Sequence, residues 1–539
     1  MPLPVICLLL LGLLCGCEQA PVDQAADKNI STVPSPGGTL IQGTIGEPSN
    51  LIPAIAADSA SSAINGLVYN GLVRYDKDLN IEGELAHAWE ISEDGRTITF
   101  HLREGVRWHD GAPFTSADVL FTYQLLVDPD TPTAYAERYK QVSKAETPDA
   151  HTFRVHYEKP LASALISWGV AIHPRHLLEG EDVTASPLSR SPVGTGPYRF
   201  VEWKTGEKIE LKANPDYFEG QPFIQRVVYR FIPDPSTMFL ELQSGGLDMM
   251  ELTPIQYARQ TETPAFKRNF NKYRYPAFGY TYLGFNLRRP LFQDKRVRQA
   301  FAHAINKQEL VDGVLLGLGQ IATGPYKPGT WPYNPDVRRY AYDPERARAL
   351  LKEAGWRDSD DDGVVDKEGR DFSFVLMTNQ GNDSRIKAGE IIQRRLAEIG
   401  IDVRLRVVEW ASFLKEFINP GDFDALIMGW NIPMDPDGYN VWHSSKTRPG
   451  ELNFINFQNT EVDELLEKGR RTLDQQQRKV YYDRFQEILA EEQPYVFLFV
   501  PDALPAVAAR VHGVEPAPAG IMHNFIRWHV PLALRKYTR

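Results

Sequence analysis

The spacing of hydrophobic residues changes part-way along the chain. Up to about residue 282, most apolar residues alternate with polar ones, as in half-buried strands. Segments with this pattern are 97–102, 198–203, 208–211 and 227–232. One helix interrupts them, because Thr115 and Ser116 provide a cap ahead of an apolar stripe that reaches Leu126. The first half is therefore predicted to be rich in strands.

From about residue 284 to 500, helix and strand patterns alternate. An apolar strand is predicted at 372–377, a helix then runs from a cap at Asp383-Ser384 to Gly400, and a second strand follows at 401–407. Such a unit joins parallel strands by a right-handed crossover. Loops at the carboxyl ends of parallel strands meet at one edge of a sheet, where ligands bind. We expect a crevice at this edge, which also receives the end of a strand predicted at 423–428.

The final segment returns to a Pro- and Ala-rich, strand-like pattern after a helix around 480–489. We interpret it as folding back onto the first half, since chain termini commonly lie together and two crossing points form a good hinge. The prediction is an α/β protein in which residues 39–283 and 501–539 form lobe I and residues 284–500 form lobe II.

The composition narrows the class of protein. The chain has 539 residues, a net charge of -11, 42% hydrophobic and 24% charged residues, which is typical of a soluble globular protein. Since 59 Lys and Arg face 70 Asp and Glu, no basic surplus favours nucleic acid as a partner. We expect a monomer that binds a small solute between its domains.

The amino terminus predicts export and lipid attachment. Residues 5–14 form an apolar run about half as long as the ~20 residues that span a bilayer, which indicates a signal peptide. The run ends in Leu14-Cys15-Gly16-Cys17, which resembles a bacterial lipobox. This resemblance implies that residues 1–17 are a signal peptide whose last cysteine, Cys17, is acylated and anchors the chain in the membrane. Residues 18–38 have the composition of a flexible tether.

The three cysteines of the chain all lie at or before residue 17. Cleavage before Cys17 leaves a body without another thiol, so disulfides, cysteine catalysis and cysteine-ligated zinc are excluded there. No Walker loop, HExxH, GxSxG or GxGxxG sequence is present, and we predict no cofactor and no enzymatic activity.

Several motifs together resemble family 5 of the solute-binding proteins of bacterial ABC importers, which includes dipeptide, oligopeptide and nickel receptors. The longest is AWEISEDGRTITFHLREGVRWHDGAPFTSADVLFTYQ at 88–124. The others are GTGPY at 194–198, NPDYF at 214–218, YLGFNLRRPLFQDKRVRQAFAHAIN at 282–306, YDP at 342–344, AGW at 354–356 and 422–430. The resemblance implies a two-lobe periplasmic-binding-protein fold (type II, cluster C-like). It further implies a hinge, an inter-lobe cleft and an extra β-rich subdomain in lobe I, and delivery of the solute to an ABC permease.

A receptor that releases its cargo needs stacking faces and fixed hydrogen-bonding groups, without a nucleophile. The run WNIPMDPDGYNVW at 430–442 concentrates such groups. The predicted ligand-binding residues are Trp430, Asn431, Asp435, Asp437, Tyr439, Trp442, Trp410, Asn379, Gln380, Tyr280, Trp331 and Tyr69. For each of Trp410, Trp331 and Tyr280, a packing role is the alternative.

The sequence is compatible with more than one class of solute. In peptide-binding relatives, an aspartate a few residues after the tryptophan pairs with the free amine of the ligand, and the positions directly after Trp430 lack it here. Asp435 is then the candidate for the ammonium contact, or the solute is a neutral or non-peptide molecule such as a sugar, an opine-like compound or a nickel chelate. Alternatively, the carboxylates of residues 435–438 satisfy backbone donors in a turn.

The sequence offers two further hypotheses, a calcium site and a hydrolase. Asp358, Asp360, Asp362 and Asp366 follow the spacing of a calcium loop, but the twelfth position is Gly369 instead of a bidentate glutamate, so a solvated acidic hairpin is the alternative. A secreted hydrolase with a carboxylate pair is the hypothesis from a different class, although no local motif singles out a pair.

Overall fold

The computed structural model describes residues 33–432 and 435–536. Its strands, numbered in chain order, are β1 Thr39–Thr44, β2 Val73–Tyr75, β3 Ile81–Gly83, β4 Ala86–Ile91, β5 Thr97–Leu102, β6 Val142–Asp149, β7 Thr152–Tyr157, β8 Tyr198–Lys204, β9 Lys208–Ala213, β10 Arg226–Phe231, β11 Met249–Glu251, β12 Phe270–Lys272, β13 Tyr275–Pro276, β14 Gly279–Phe285, β15 Gly319–Ile321, β16 Asp366–Lys367, β17 Arg370–Asp371, β18 Ser373–Asn379, β19 Asp402–Val408, β20 Ala425–Asn431, β21 Tyr495–Ala503 and β22 Pro505–Ala508. Its α-helices are α1 Ser59–Val68, α2 Ser116–Val127, α3 Ala164–Ser167, α4 Arg175–Leu178, α5 Pro235–Ser244, α6 Pro264–Asn269, α7 Lys295–Ala304, α8 Lys307–Gly313, α9 Pro344–Glu353, α10 Asp383–Ala397, α11 Trp410–Ser412, α12 Tyr439–Trp442, α13 Thr460–Arg471 and α14 Gln475–Glu492.

Lobe I is built on a mixed sheet with the strand order β12-β22-β11-β1-β10-β9-β8. At its centre β1 and β10 run parallel, with Thr39 opposite Arg226 and Thr44 opposite Phe231. Apolar residues of this sheet, including Leu40 and Val227, are fully buried in one core. The carboxyl ends of β1 and β10 therefore lie side by side at one edge of the sheet.

A separate antiparallel sheet, β4-β5-β7-β6, forms a subdomain of lobe I with a core of its own. Phe100 and Phe153 face each other across β5 and β7 and pack on Trp168. Helix α2 covers this sheet and begins with a capping box in which the backbone N–H of Thr115 donates to Asp118 Oδ2 over 2.8 Å. This subdomain corresponds to the β-rich extension expected in lobe I.

Lobe II is built on the sheet β13-β21-β14-β20-β18-β19, to which β15 adds beside β21. Strands β18, β19 and β20 run parallel, and α10 connects β18 to β19. The predicted strand–helix–strand unit is confirmed. The cap of α10 is Asn382, whose side chain accepts from the backbone N–H of Arg385, and the predicted cap at Asp383-Ser384 was wrong by one residue.

Two neighbouring segments carry the chain between the lobes. One passes from β12 in the first sheet to β13 in the second, and the other returns from β21 to β22. They run antiparallel, since β12 pairs with β22 and β13 pairs with β21. Such a pair of adjacent crossings is the arrangement from which a hinge is made. In the structure, the chain passes from one sheet to the other between residues 272 and 275 and again between residues 503 and 505. The domain limits predicted at 283/284 and 500/501 remain predictions.

The strands predicted in the first half match β5, β8, β9 and β10, and the predicted helices match α2 and α14. The carboxyl-terminal segment does return to the first sheet through β22, as predicted. Its later part forms short 3₁₀ helices, Met522–Arg527 and Leu532–Leu534, instead of strands.

The predicted signal peptide, Cys17 and most of the tether lie outside the described residues. Of residues 33–38, Ser35 accepts a hydrogen bond from Arg535 through its backbone oxygen at 2.9 Å, and the N–H of Gly37 donates to Phe223 over 2.7 Å. Both described ends of the chain therefore lie on lobe I. In residues 33–432 and 435–536, no helix is both long and apolar enough to cross a membrane.

Candidate functional site

The carboxyl ends of the parallel strands in the two lobes face each other. Beyond β1 lie Ile45 and Gly46, and the indole of Trp410 beyond β19 comes within 3.5 Å of the position of a Cβ on Gly46. Beyond β18, Gly381 lies against Pro233, which follows β10. Both lobes thus turn the ligand-binding edge of an open α/β sheet toward a common cleft.

Gly381 sets how closely the lobes approach, which gives a first prediction. Its φ is +81°, and a Cβ there would lie 2.7 Å from the carbonyl oxygen of Pro233 in the opposite lobe. The variant Gly381→Ala is expected to hinder closure and weaken solute binding by about tenfold, or ~1.4 kcal/mol. Isothermal titration calorimetry measures the effect.

Gly450→Ala is the matched control, because Gly450 has φ +83° and no atom within 4 Å of its Cβ position. Both variants carry the same left-handed strain of about 1 kcal/mol, so only the contact between the lobes differs. Equal affinities of the two variants would refute a role of Gly381 in closure.

Aromatic side chains line the edge of the lobe II sheet. Trp430 is the next-to-last residue of β20, where it pairs in register with Tyr280 on β14. The Trp430 indole is half-buried, stacks on Phe454 at 5.7 Å and donates from Nε1 to the Tyr495 hydroxyl over 3.2 Å. Tyr280 is buried against Tyr282 and Phe497. Trp410 and Trp430 are thus only half-buried, and Trp410 also approaches Gly46 of lobe I, whereas Tyr280 is buried.

Polar groups at the same edge include the predicted Asn379, Gln380 and Asn431. Gln380 and Asn431 are exposed, and Asn379 is buried. The backbone N–H of Gln380 donates to Val408 at the end of β19 over 2.7 Å, which ties the two strand ends together. The structure thus brings together Asn379, Gln380, Trp410, Trp430 and Asn431.

Arg385, which sequence reasoning missed, lies among these groups. It occupies the first turn of α10, and its Nη1 donates to Asn379 Oδ1 over 2.8 Å. Its Nη2 lies over Gly429, 2.6 Å from the position of a Cβ, so a side chain there would displace the guanidinium. Its Nε is buried and has no hydrogen-bond partner among the described residues.

Within the part of the chain that the structure describes, Arg385 forms no ion pair with a carboxylate, and its side-chain hydrogen-bond partner is the neutral Asn379. Burial lowers the pKa of Arg385 to about 10, which still leaves the guanidinium charged at neutral pH. The amino-terminal end of α10 adds positive potential at the same place. A half-buried cation at the end of a cleft favours an anionic group of the solute.

The two aspartates of the run at 430–442 have a different environment. Arg478 holds Asp435 with two nitrogens at 3.1 Å, and Asp437 lies 3.3 Å from Arg138 and 3.1 Å from Arg470. Asp435 and Asp437 also accept from the backbone N–H groups of Asp437 and Tyr439. Both carboxylates are therefore paired with arginines and backbone donors. The pairing of Asp435 with the free amine of a ligand stays a prediction.

Two aromatic residues of this run, Tyr439 and Trp442, are buried in lobe II near the half-buried Trp331. Trp442 is fully buried and lies 4.7 Å from Tyr495. Tyr439 stacks on His443 at 4.0 Å with Arg470 over its ring. Trp331 is half-buried with Arg478 above it. These contacts give Trp442, Tyr439 and Trp331 packing partners within lobe II. A role of these three residues in ligand binding stays a prediction.

Tyr69 belongs to lobe I, at the end of α1. It is 3% exposed, and its hydroxyl donates to the Leu51 carbonyl over 3.4 Å. Burial raises the pKa of Tyr69. The structure does not bring Tyr69 into the group formed by Trp410, Trp430 and Arg385.

The acidic loop of lobe II is exposed. Carboxylate oxygens of Asp358, Asp360 and Asp362 lie within 4.8 Å of one another, whereas Asp366 starts β16 and accepts from the backbone N–H of Ser359. Asp358 accepts from the N–H of Gly363 over 3.0 Å. Calcium binding by this loop stays a prediction.

Known proteins resemble this chain in sequence and in fold. The profile described as "Bacterial extracellular solute-binding proteins, family 5 Middle" matches residues 80–451. This chain belongs to that family. The Oligopeptide-binding protein AppA of Bacillus subtilis is 33% identical over 526 residues, which covers 96% of each chain.

Solved structures of family 5 proteins share the fold. AppA from Bacillus subtilis in complex with a nonapeptide superimposes with a TM-score of 0.88, covering 92% of this chain and 99% of that chain. NikZ from Campylobacter jejuni in complex with Ni(L-His) is 28% identical, with a TM-score of 0.83 and coverage of 91% and 99%. DppA from Helicobacter pylori in complex with the peptide STSA is 28% identical, with a TM-score of 0.83 and coverage of 92% and 99%. The predicted family and the α/β two-lobe fold are confirmed.

Proposed function

We propose that this protein binds a peptide or peptide-like solute between its lobes and delivers it unchanged to the permease of an ABC importer. The observation that carries the proposal is the group at the carboxyl ends of β18, β19 and β20. There the rings of Trp410 and Trp430 lie at the same edge of the sheet as Arg385, which has no carboxylate partner among the described residues. Stacking surface with one fixed cation suits a solute that has apolar side chains and a free carboxylate.

The cleft also suits release of the solute without a chemical step. The described residues around Trp430 offer hydrogen bonds, ring faces and a cation, while Asp435 and Asp437 are engaged by arginines. The relatives described above are named for binding, which supports the same conclusion.

Attachment to the membrane through Cys17 completes the proposal. The lipobox-like sequence at 14–17 supports it, and the described chain begins on lobe I, so an anchored tether would leave the cleft free. The permease and the lipid anchor are then the partners on the membrane side, and the protein acts as a monomer outside the cytoplasm.

The direct test is to identify what the protein retains. The purified protein is denatured, the released small molecules are identified by mass spectrometry, and the identified compound is then returned to unloaded protein. The proposal expects recovery of one unaltered peptide per protein. Formation of a product with turnover would support the hydrolase hypothesis instead.

A second candidate is a receptor for a non-peptide solute on the same scaffold. It is favoured by the arginine partners of Asp435, which occupy the carboxylate that was a candidate for a peptide amine. Similarity to NikZ in complex with Ni(L-His) is consistent with it. Recovery of an amino acid chelate, an opine-like compound or a sugar in the same experiment would select this candidate.

The stacking role of Trp430 gives another prediction. Trp430→Ala is expected to weaken binding of the recovered solute by about tenfold, or ~1.4 kcal/mol, because an aromatic contact is lost. Trp430→Phe is expected to retain most of the affinity. Calorimetry that finds the alanine variant as tight as the wild type would remove Trp430 from the site.

A further inference from the structure

The β-rich subdomain of lobe I touches lobe II through two ion pairs of opposite polarity. They start from the 3₁₀ helix Ala136–Gln141, which precedes β6. Glu137 accepts from Lys446 Nζ over 2.9 Å, and Arg138 Nε lies 3.3 Å from Asp437 Oδ2. Adjacent residues of one lobe thus carry opposite charges, each matched by the other lobe.

These groups are largely removed from water. The side chains of Lys446 and Asp437 are 5% and 2% exposed, and those of Glu137 and Arg138 are 16% and 25% exposed. A backbone hydrogen bond of 2.7 Å from the N–H of Ala162 to the carbonyl of Arg470 joins the same two surfaces. Screening by solvent is therefore weaker for these pairs than for an ordinary surface ion pair.

Three of the four groups have a second partner within their own lobe. Glu137 pairs with Lys140 at 2.7 Å, Lys446 with Glu451 at 3.2 Å and Asp437 with Arg470 at 3.1 Å. If the lobes separate, none of these three charges is left buried and unpaired. Arg138, whose ion-pair partner among the described residues is Asp437, passes into water. The contacts can therefore open and close without a large penalty for either state.

We propose that Glu137, Arg138, Asp437 and Lys446 form a closure latch, which stabilises the closed arrangement of the lobes whether or not a solute is present. The proposal rests on the proposed function, since it presumes lobes that open. A latch of this kind sets the fraction of molecules that are closed before binding. The apparent affinity for the solute scales with that closed fraction. The latch therefore changes the affinity, although its residues lie apart from the group at the ends of β18, β19 and β20.

The latch is tested by measuring the distance between the lobes in the absence of solute. Since all cysteines lie at positions 7, 15 and 17, Cys→Ser changes there allow specific labelling of Asp130→Cys in lobe I and Glu464→Cys in lobe II, both exposed positions. Single-molecule energy transfer then reports the closed fraction between about 0.02 M and 1 M NaCl, a range over which charge screening increases strongly.

The wild type is expected to open as salt is raised. Arg138→Gln and Glu137→Gln are each expected to lower the ratio of closed to open molecules by about fivefold at low salt and to respond less to added salt. Lys140→Gln is the matched control, because Lys140 belongs to the same 3₁₀ helix and pairs with Glu137 alone. It should behave as the wild type. Arg138→Gln leaves Asp437 paired with Arg470, so the fold of lobe II is preserved.

Two outcomes would overturn the proposal, and they differ in what else they imply. If a pool of synthetic nonapeptides closes the wild type but Arg138→Gln and Glu137→Gln match it at every salt concentration, the latch is wrong and the proposed function stands. If the wild type keeps one inter-lobe distance at all salt concentrations and with the peptide pool, both the latch and the proposed function are wrong.

Discussion

Arg385→Gln is expected to weaken binding of a peptide with a free carboxylate by about a hundredfold, or ~2.7 kcal/mol. Glutamine retains a donor for Asn379 but carries no charge. The guanidinium is half-buried, has one neutral hydrogen-bond partner, and has an unpartnered Nε. An anionic group of the solute would therefore supply a charge-assisted contact that nothing else in the described cleft supplies.

The control for this prediction compares two ligands and two arginines. A peptide with a carboxyl-terminal amide should bind the wild type weakly and should lose little more on Arg385→Gln. Arg404→Gln, on the neighbouring β19, should have no effect, because the Arg404 side chain is 74% exposed. Calorimetry with both peptides decides the matter. Equal losses for the acid and the amide would show that Arg385 shapes the cleft without binding the carboxylate.

Asp437→Asn is expected to lower the free energy of unfolding by about 3–5 kcal/mol, since removing one partner of a buried pair leaves the other charge uncompensated. Asp437 is 2% exposed and lies between Arg138 and Arg470. Denaturant unfolding followed by fluorescence measures the change. Asp422→Asn, at an exposed ion pair with Arg289, should cost no more than about 1 kcal/mol.

The pH dependence of stability follows from the same carboxylate. Burial alone would raise the pKa of Asp437, but the charges of Arg470 and Arg138 outweigh burial and lower the pKa below its usual range. A lowered pKa in the folded state means that the contribution of Asp437 is complete above the unfolded pKa of about 3.9. It is lost as the pH falls through the folded value. The difference in unfolding free energy between the wild type and Asp437→Asn should therefore shrink below about pH 4.

Much of the fold could be predicted because its signals are local. Alternating residues specified β5 and β19, and the helix pattern between 383 and 400 specified α10, so the parallel unit followed from the handedness of crossovers. The same logic places Asn379, Trp410 and Trp430 at one edge of the sheet from the sequence alone. The order of strands and helices can be predicted from the sequence pattern, and this order determines which strand ends lie together.

The charges of the cleft could not be predicted, because their partners are distant in sequence. Asp437 meets Arg138 across 299 positions, and Asp435 meets Arg478 across 43. The pattern at 430–442 therefore left open a ligand contact or a turn with backbone donors, but gave no sign of these arginine partners. Arg385 shows the reverse. Its position in a helix rich in arginine and lysine gives no sign that it lacks a carboxylate partner among residues 33–432 and 435–536.

The bond between Arg535 and Ser35 has a practical consequence. Ser35 and Lys536 lie near the two limits of the described chain and bond Arg535 and Gly245 of lobe I, so a sensor chip or a fluorescent fusion attached near either limit would hold lobe I and leave lobe II unconstrained. Immobilisation through the termini should therefore preserve the response to cargo, whereas random coupling through surface lysines would cross-link the moving half to the support.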